Sequence, residues 1–355
     1  MHAVEVTVWA DNVQLLRPIA TAHAPHLART RLYACVEHDG VAGYGEVAPQ
    51  PADLNGDPSV EAVVLELRAT SLPQLRAMVA REGSLPSWTR VARLAGPRAS
   101  SAAAMALLEM ALLDREYRSR QLDVAALWPR RYDTPTQATV SLLDDDVPWT
   151  LEAGVARVRV KTAPGNPSRM ARQRLEAVRV PILLDFNCSG QSVDAVLAHV
   201  ATLAPLAELA AVEQPFAPGN VADHAILAQR LAVPVGLDEG VRSERDLVQI
   251  ARYHAASMVC IKPARVGGLA NARAMVLRAE ELGLSPYLGG FFESAFARSV
   301  HRMLAESCVK EPSDLLPVAL AGSESVPEVV DAHWGLGLAP NPHLLERAAR
   351  LSTQG

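Results

Sequence analysis

Residues 4–9 alternate apolar and polar side chains, and two further alternating runs, 31–37 and 42–47, flank His38-Asp39-Gly40. A period of two predicts half-buried strands, and Asp-Gly between two such runs predicts a tight turn. The N-terminus therefore reads as a three-stranded antiparallel meander. Helical spacing follows over 60–69, 74–81 and 100–117, the last rich in Ala and Leu. Strands followed by helices predict an α+β unit.

Beyond residue 135 the pattern changes. Short apolar runs at 137–141, 155–161, 182–187, 210–214, 235–239, 258–262, 285–289 and 315–319 alternate with amphipathic stretches. Such runs joined by crossover helices predict a parallel sheet. An open doubly wound sheet is the alternative, but no G-x-G-x-x-G follows the first run. The prediction is an α/β fold: a TIM-like (β/α)7β barrel with an N-terminal α+β capping domain. At 355 residues the chain exceeds one ordinary core, which fits two units. Residues 1–125 would form the cap, completed by a C-terminal segment from about 330 to 355, and 126–329 the barrel.

A formal net charge of −5 provides no cationic field for nucleic acid or an anionic membrane surface. The first residues lack a basic region followed by an apolar core, and apolar stretches such as 101–113 and 193–212 are interrupted by Glu109, Asp194, His199 and Glu208. The four cysteines, Cys35, Cys188, Cys260 and Cys308, are scattered with no CxxC pair. These features predict a cytoplasmic protein acting on a small molecule, with neither nucleic acid nor membrane as partner.

The run ends carry the chemistry. In a barrel they converge on one mouth, and here they bear Arg159 and Lys161, Asp185 and Asn187, Glu213, Asp238 and Glu239, then Lys262. Positions 161, 185, 213, 238 and 262 follow one another in steps of 24, 28, 25 and 24 residues, each the length of one βα unit. Asp185, Glu213 and Asp238 in one mouth repel unless protons or a cation neutralise them. Three oxygen ligands without His or Cys suit a hard cation, Mg²⁺ first and Mn²⁺ second. Lys161 and Lys262 fall on opposite sides of this cluster, placed to move protons on either face of a bound carboxylate. A base must lose its own proton near neutral pH, and a neighbouring Arg159 and a cation would lower a lysine pKa in that direction. A carboxylate substrate held by the cation can then lose its α-proton to a lysine.

The segments VRVKTAPG (158–165), LLDFN (183–187), VEQPF (212–216), GLDEG (236–240) and CIKPARVGG (260–268) resemble the enolase superfamily, specifically its muconate-lactonizing-enzyme-like branch. The resemblance implies metal ligation by Asp185, Glu213 and Asp238, catalysis by Lys161 and Lys262, and Glu239 as the neighbour in an Asp-Glu pair. The branch's usual Lys-x-Lys stands here as Arg159-Val160-Lys161. That form, KPARVGG and GGFFES (289–294) resemble most the actinobacterial o-succinylbenzoate synthases, dehydratases of menaquinone biosynthesis. The resemblance further implies that segments 17–26 and 46–56 cap the mouth, and that Gly289, Gly290 and Ser294 offer contacts to a succinyl carboxylate. Two opposed lysines also suit an N-succinylamino acid racemase, a dipeptide epimerase or a cycloisomerase, and a non-catalytic barrel relative is the reading from another class. An epimerase would be expected to place Asp-x-Asp at 315–319, which this chain lacks.

Overall fold

The computed structural model describes residues 4–20, 25–91, 98–143, 149, 151, 153–316 and 327–351. The three N-terminal strands are β1 (Glu5–Ala20), β2 (Pro25–His38) and β3 (Val41–Val47), paired antiparallel. Asp39 and Gly40 both take positive φ between β2 and β3, as an Asp-Gly hairpin turn requires. Residues 60–82 form one helical run where two separate helices were expected. Helix α1 (Val60–Glu66) passes through a wide π-helical turn at Leu67–Ser71 into α2 (Leu72–Glu82). Pro73, with no N–H to give the preceding turn, follows that widening. A short helix, α3 (Trp88–Val91), precedes the long α4 (Ala99–Ser119), which lies on β3. Gly43 and Gly45 permit that contact, because a Cβ at either would collide with the α4 backbone.

Seven parallel strands then pair in sequence order: β4 (Gln137–Leu142), β5 (Arg157–Lys161), β6 (Ile182–Asp185), β7 (Leu209–Glu213), β8 (Val235–Leu237), β9 (Met258–Ile261) and β10 (Ser285–Leu288). The helices that follow β5 to β10 are α5 (Arg169–Ala177), α6 (Val193–Leu203), α7 (Val221–Arg230), α8 (Glu244–Arg252), α9 (Pro263–Val266), α10 (Leu269–Glu281) and α11 (Ala295–Cys308). Strand alternation sorts the side chains. Val158, Val160, Leu184, Val212, Val259 and Ile261 join the main core with the helices, whereas Leu183, Ala211, Met258, Cys260 and Tyr287 form a separate cluster. Arg159, Lys161, Asp185 and Glu213 are in step with the second set.

The expected eighth strand at 315–319 is corrected in part. Residues 317–319 lie outside the described residues, and the chain makes its sheet contacts two residues before the apolar run. Ser313 N donates to the Pro135 carbonyl (2.9 Å), Gln137 N to the Ser313 carbonyl (2.8 Å), and Asp314 N to the Leu288 carbonyl (2.9 Å). The backbone of a polar Ser-Asp pair thus reaches both edge strands, β4 and β10, and hydropathy does not mark it. Strands β6, β8 and β9 also stop short of their predicted ends, leaving Asn187, Asp238, Glu239 and Lys262 just beyond them. Asn187 takes φ 44°, and Asp238 N bonds the Gln214 side chain at 2.9 Å rather than a neighbouring strand.

The C-terminal stretch forms a hairpin, β11 (Val329–Asp331) and β12 (Leu338–Pro340), then α12 (Pro342–Arg347) and β13 (Ala349–Leu351). Strand β13 adds to β1, giving the order β13-β1-β2-β3. Among the described residues no helix is long and apolar enough to cross a membrane.

Candidate active site

Strand register aligns Lys161, Asp185, Glu213 and Gly236 as successive Cα partners. Neighbouring strands stand about 4.8 Å apart, so these positions form a row along the strand ends, and Asp238 continues it. Lys161 Nζ lies 2.5 Å from Asp185 Oδ2 at one end, and Lys262 Nζ 2.7 Å from Asp238 Oδ2 at the other. Glu213 sits between them, fully buried. Its Oε2 accepts from Tyr287 OH and lies 3.2 Å from Arg159 Nη2, while Oε1 has no hydrogen-bond partner.

The electrostatics follow from burial and this spacing. Burial, together with the charges of Asp185 and Asp238, pushes the Glu213 carboxyl up to about 7 despite the adjacent Arg159. Burial also acts to raise Asp238, but Arg265, Lys262 and Arg159 prevail and hold it well below the usual carboxylate range. At Lys262 burial and a neighbouring carboxylate oppose each other. Its burial favours proton loss, yet the touching Asp238 carboxylate outweighs that and holds the ammonium above its ordinary pKa.

Among the described residues no three His, Cys, Asp or Glu side chains are gathered as a metal cage, since Asp185 and Asp238 each face a lysine. The row nevertheless fits a hard cation. It consists of carboxylate oxygens, and two of its buried acceptors, Glu213 Oε1 and Glu239 Oε2, lack any hydrogen-bond partner. Such orphaned acceptors are costly in a folded interior unless a donor or cation satisfies them.

The remaining predicted residues divide into two groups. Arg159, fully inside the sheet, bridges Glu213 (3.2 Å) and Asp314 (3.8 Å), so it braces a carboxylate of the row. Glu239 accepts from Asn187 Nδ2 at 3.2 Å, and Asn187 N donates to Asp185 Oδ1 at 2.9 Å. Asn187, Cys188 and Gln214 all adopt positive φ, a concentration of strain of the kind found at functional sites. Gly289 packs against Lys262, where a Cβ would come within 3.0 Å of Cε and 2.5 Å of Cys260 Sγ. A Cβ on Gly290 would strike Arg298 and Glu293. Ser294 is buried, caps α11, and donates its hydroxyl to Glu46 Oε2 of the cap at 2.5 Å.

Of the expected capping segments, residues 21–24 lie outside the described residues, while 17–20 and 25–26 extend β1 and β2 as a paired arm. The 46–56 segment reaches the site, with Asn55 Nδ2 3.3 Å from the Asn187 carbonyl and 3.5 Å from Glu239 Oε1. Sequence reasoning missed Asp57, which binds Arg265 through both carboxylate oxygens (2.8 and 2.7 Å) and Arg242 at 3.0 Å. Arg265 in turn donates to Asp238 Oδ1 at 2.5 Å and to its carbonyl at 2.8 Å. Only the place of Arg265, one turn past Lys262, hinted at this. Tyr287 carried no signal beyond a strand pattern.

Comparison with known proteins identifies the family of the chain. The family described as Enolase C-terminal domain-like matches residues 146–341. An N-succinylamino acid racemase from Amycolatopsis sp. is 29% identical over 360 residues, covering 94% of each chain. An o-succinylbenzoate synthase from Bacillus subtilis (strain 168) is 26% identical over 313 residues, covering 85% of this chain and 81% of the other. The solved structure of 2-chloromuconate cycloisomerase from Rhodococcus opacus 1CP superposes with a TM-score of 0.80 at 20% identity, covering 99% of this chain and 100% of that one. With the family match spanning more than half of its length, the chain belongs to the enolase superfamily.

Proposed function

We propose that this chain is an o-succinylbenzoate synthase: a Mg²⁺-dependent hydro-lyase that dehydrates 2-succinyl-6-hydroxy-2,4-cyclohexadiene-1-carboxylate to 2-succinylbenzoate in menaquinone biosynthesis, in the cytoplasm. The observation that carries the proton-abstraction chemistry is the placement of Lys161 and Lys262 at opposite ends of one carboxylate row, each touching a different aspartate, and the choice of dehydration rests on Arg159-x-Lys161, KPARVGG and GGFFES. In this reading Asp185, Glu213 and Asp238 hold the cation, Mg²⁺ or in its place Mn²⁺. When bound, it supplies positive charge against the substrate carboxylate as the α-carbon is deprotonated.

Lys161 removes the α-proton. The electron pair of the broken C–H bond forms the ring double bond, the C–O bond at the β-carbon breaks, and Lys161, now an acid, returns the proton to the departing hydroxyl as water. Lys262 stabilises the developing negative charge with its ammonium. Aromatisation of the ring favours the products. Arg159 braces Glu213, and Glu239 with Asn187 braces Asp185. We further propose that the parallel sheet closes into a (β/α)7β barrel through the Ser313–Asp314 contacts, with 126–329 as the barrel and 1–125 plus about 330–355 as its cap.

The second reading, N-succinylamino acid racemase, is favoured by the same opposed lysines and by a racemase relative that matches over 94% of both chains. Two measurements separate them. Purified protein with Mg²⁺ should convert the cyclohexadiene substrate to 2-succinylbenzoate, and its gene should restore growth to a strain lacking the menaquinone dehydratase. N-Succinylamino acids in D₂O should exchange their α-hydrogen slowly compared with dehydration; exchange faster than dehydration would favour the racemase instead.

A further inference from the structure

One fully buried cation near the site has no role in the chemistry above. Arg29, in β2, is 1% exposed. The other buried arginines, Arg31, Arg157, Arg159, Arg265 and Arg298, each lie within 4.0 Å of a carboxylate, but no described carboxylate comes that close to Arg29. Its Nη1 donates to Gln50 Oε1 (2.7 Å) and its Nη2 to the Phe291 carbonyl (3.2 Å). Nε is buried without a partner. A guanidinium has five N–H groups, so most of its donor capacity is unused. The nearest acids are already committed, Glu293 to Arg298 and Asp57 to Arg265 and Arg242.

Its neighbours connect this cation to Lys262. Phe291, whose carbonyl Arg29 holds, turns its ring toward Lys262, with Nζ 4.5 Å from the centroid. Phe292 lies 4.6 Å below the Arg29 guanidinium and packs against His26 at 5.5 Å. Burial, then Arg29 and to a lesser degree Lys161, lower the His26 pKa to about 4. Phe292, like Ile19, also packs against Val13 and Leu15 of the cap, and it is held at φ 81°. Two adjacent aromatic rings, Phe291 beside Lys262 and Phe292 against the cap, therefore flank a guanidinium that has no described carboxylate beside it.

We propose that Arg29 is a specificity-determining residue that binds a second ligand carboxylate, one carried on an apolar arm remote from the reacting carbon. This rests on Lys161 and Lys262 being the reacting groups. A planar guanidinium with free N–H groups pairs with a carboxylate in a bidentate fork, and a buried site strengthens that pairing. Burial depresses the Arg29 pKa to about 10 even with Glu293 and Asp57 within electrostatic range, so its charge lacks full compensation. A neutral arm end would leave that charge unpaired.

The test is equilibrium binding to the full-length protein with Mg²⁺, using two ligand pairs: 2-succinylbenzoate against its distal amide, and N-succinylphenylalanine against N-acetylphenylalanine. The wild type should bind the dicarboxylate of at least one pair tenfold or more tightly than its neutral partner. Arg29→Gln should reduce that ratio to below threefold with binding of the neutral partner little changed, and Arg29→Lys should retain part of it. A wild-type ratio near one in both pairs overturns the proposal, as does a tenfold ratio that survives in Arg29→Gln. If Arg29→Gln does not fold, the wild-type ratio and its fall in Arg29→Lys decide. Loss of the synthase reading with an Arg29-dependent preference intact leaves this inference standing; dehydration without any such preference does the opposite.

Discussion

Glu213 is the carboxylate of the row with an oxygen left over, which makes it the sharpest residue-scale probe of the metal assignment. Glu213→Gln should weaken Mg²⁺ binding by at least about 100-fold, the upper end of what even an outer-shell loss costs. Calorimetric titration checks it, and an affinity within threefold of wild type would remove Glu213 from the ligand set. Lys161→Ala should abolish dehydration while Mg²⁺ binding is largely kept; substantial residual turnover would show that another group takes the proton. These residues were legible because strand ends repeat at nearly constant intervals and carry charge where apolar runs stop. Asp57, Arg265 and Tyr287 were not, because each acts by touching another side chain across the fold, 208 positions away in the case of Asp57 and Arg265.

Between elements, the joint of α4 and α10 depends on one acid. Glu109, fully buried in α4, accepts from Leu269 N and Ala270 N at 2.8 Å each, satisfying the first turn of α10. Gly268 precedes them at φ 129°, and a Cβ there would come within 2.6 Å of Glu109 Oε2. Burial raises the Glu109 pKa from 4.5 to about 7, against the two backbone donors. Ionisation therefore costs the folded state more than the unfolded chain. The contribution of this group is fully present below about 4.5 and declines as pH rises through about 7, by up to roughly 3 kcal/mol. Denaturant titrations at pH 5 and pH 8 should show a smaller difference in Glu109→Gln than in wild type; identical differences would mean that Glu109 does not titrate in this range. The sequence marked Glu109 only as a charge interrupting an apolar stretch. Its partner helix was predicted, yet nothing in the pattern joined the two.

For the whole molecule, the cap and the parallel sheet meet through buried ion pairs. Asp57 in the cap grips Arg265, which grips Asp238 at the strand ends. Asp57→Ala leaves Arg265 and Arg242 without that carboxylate, a loss of about 3–5 kcal/mol where a buried pair is broken on one side. Urea denaturation measures it, and a loss below about 1 kcal/mol would mean that the two units do not depend on this contact. Local periodicity by itself determined the three N-terminal strands, the seven parallel strands in their order and the even recurrence of Lys161, Asp185, Glu213, Asp238 and Lys262, because alternation and βα length are properties of neighbouring residues. Tertiary structure alone decided which strand edge Ser313 meets, that Ser294 hydrogen-bonds Glu46, and that Arg29 has no ion pair with a described carboxylate and an unpartnered Nε. Those outcomes depend on which distant groups share a buried space, and burial sets both the cost of an unpaired charge and the partner that relieves it.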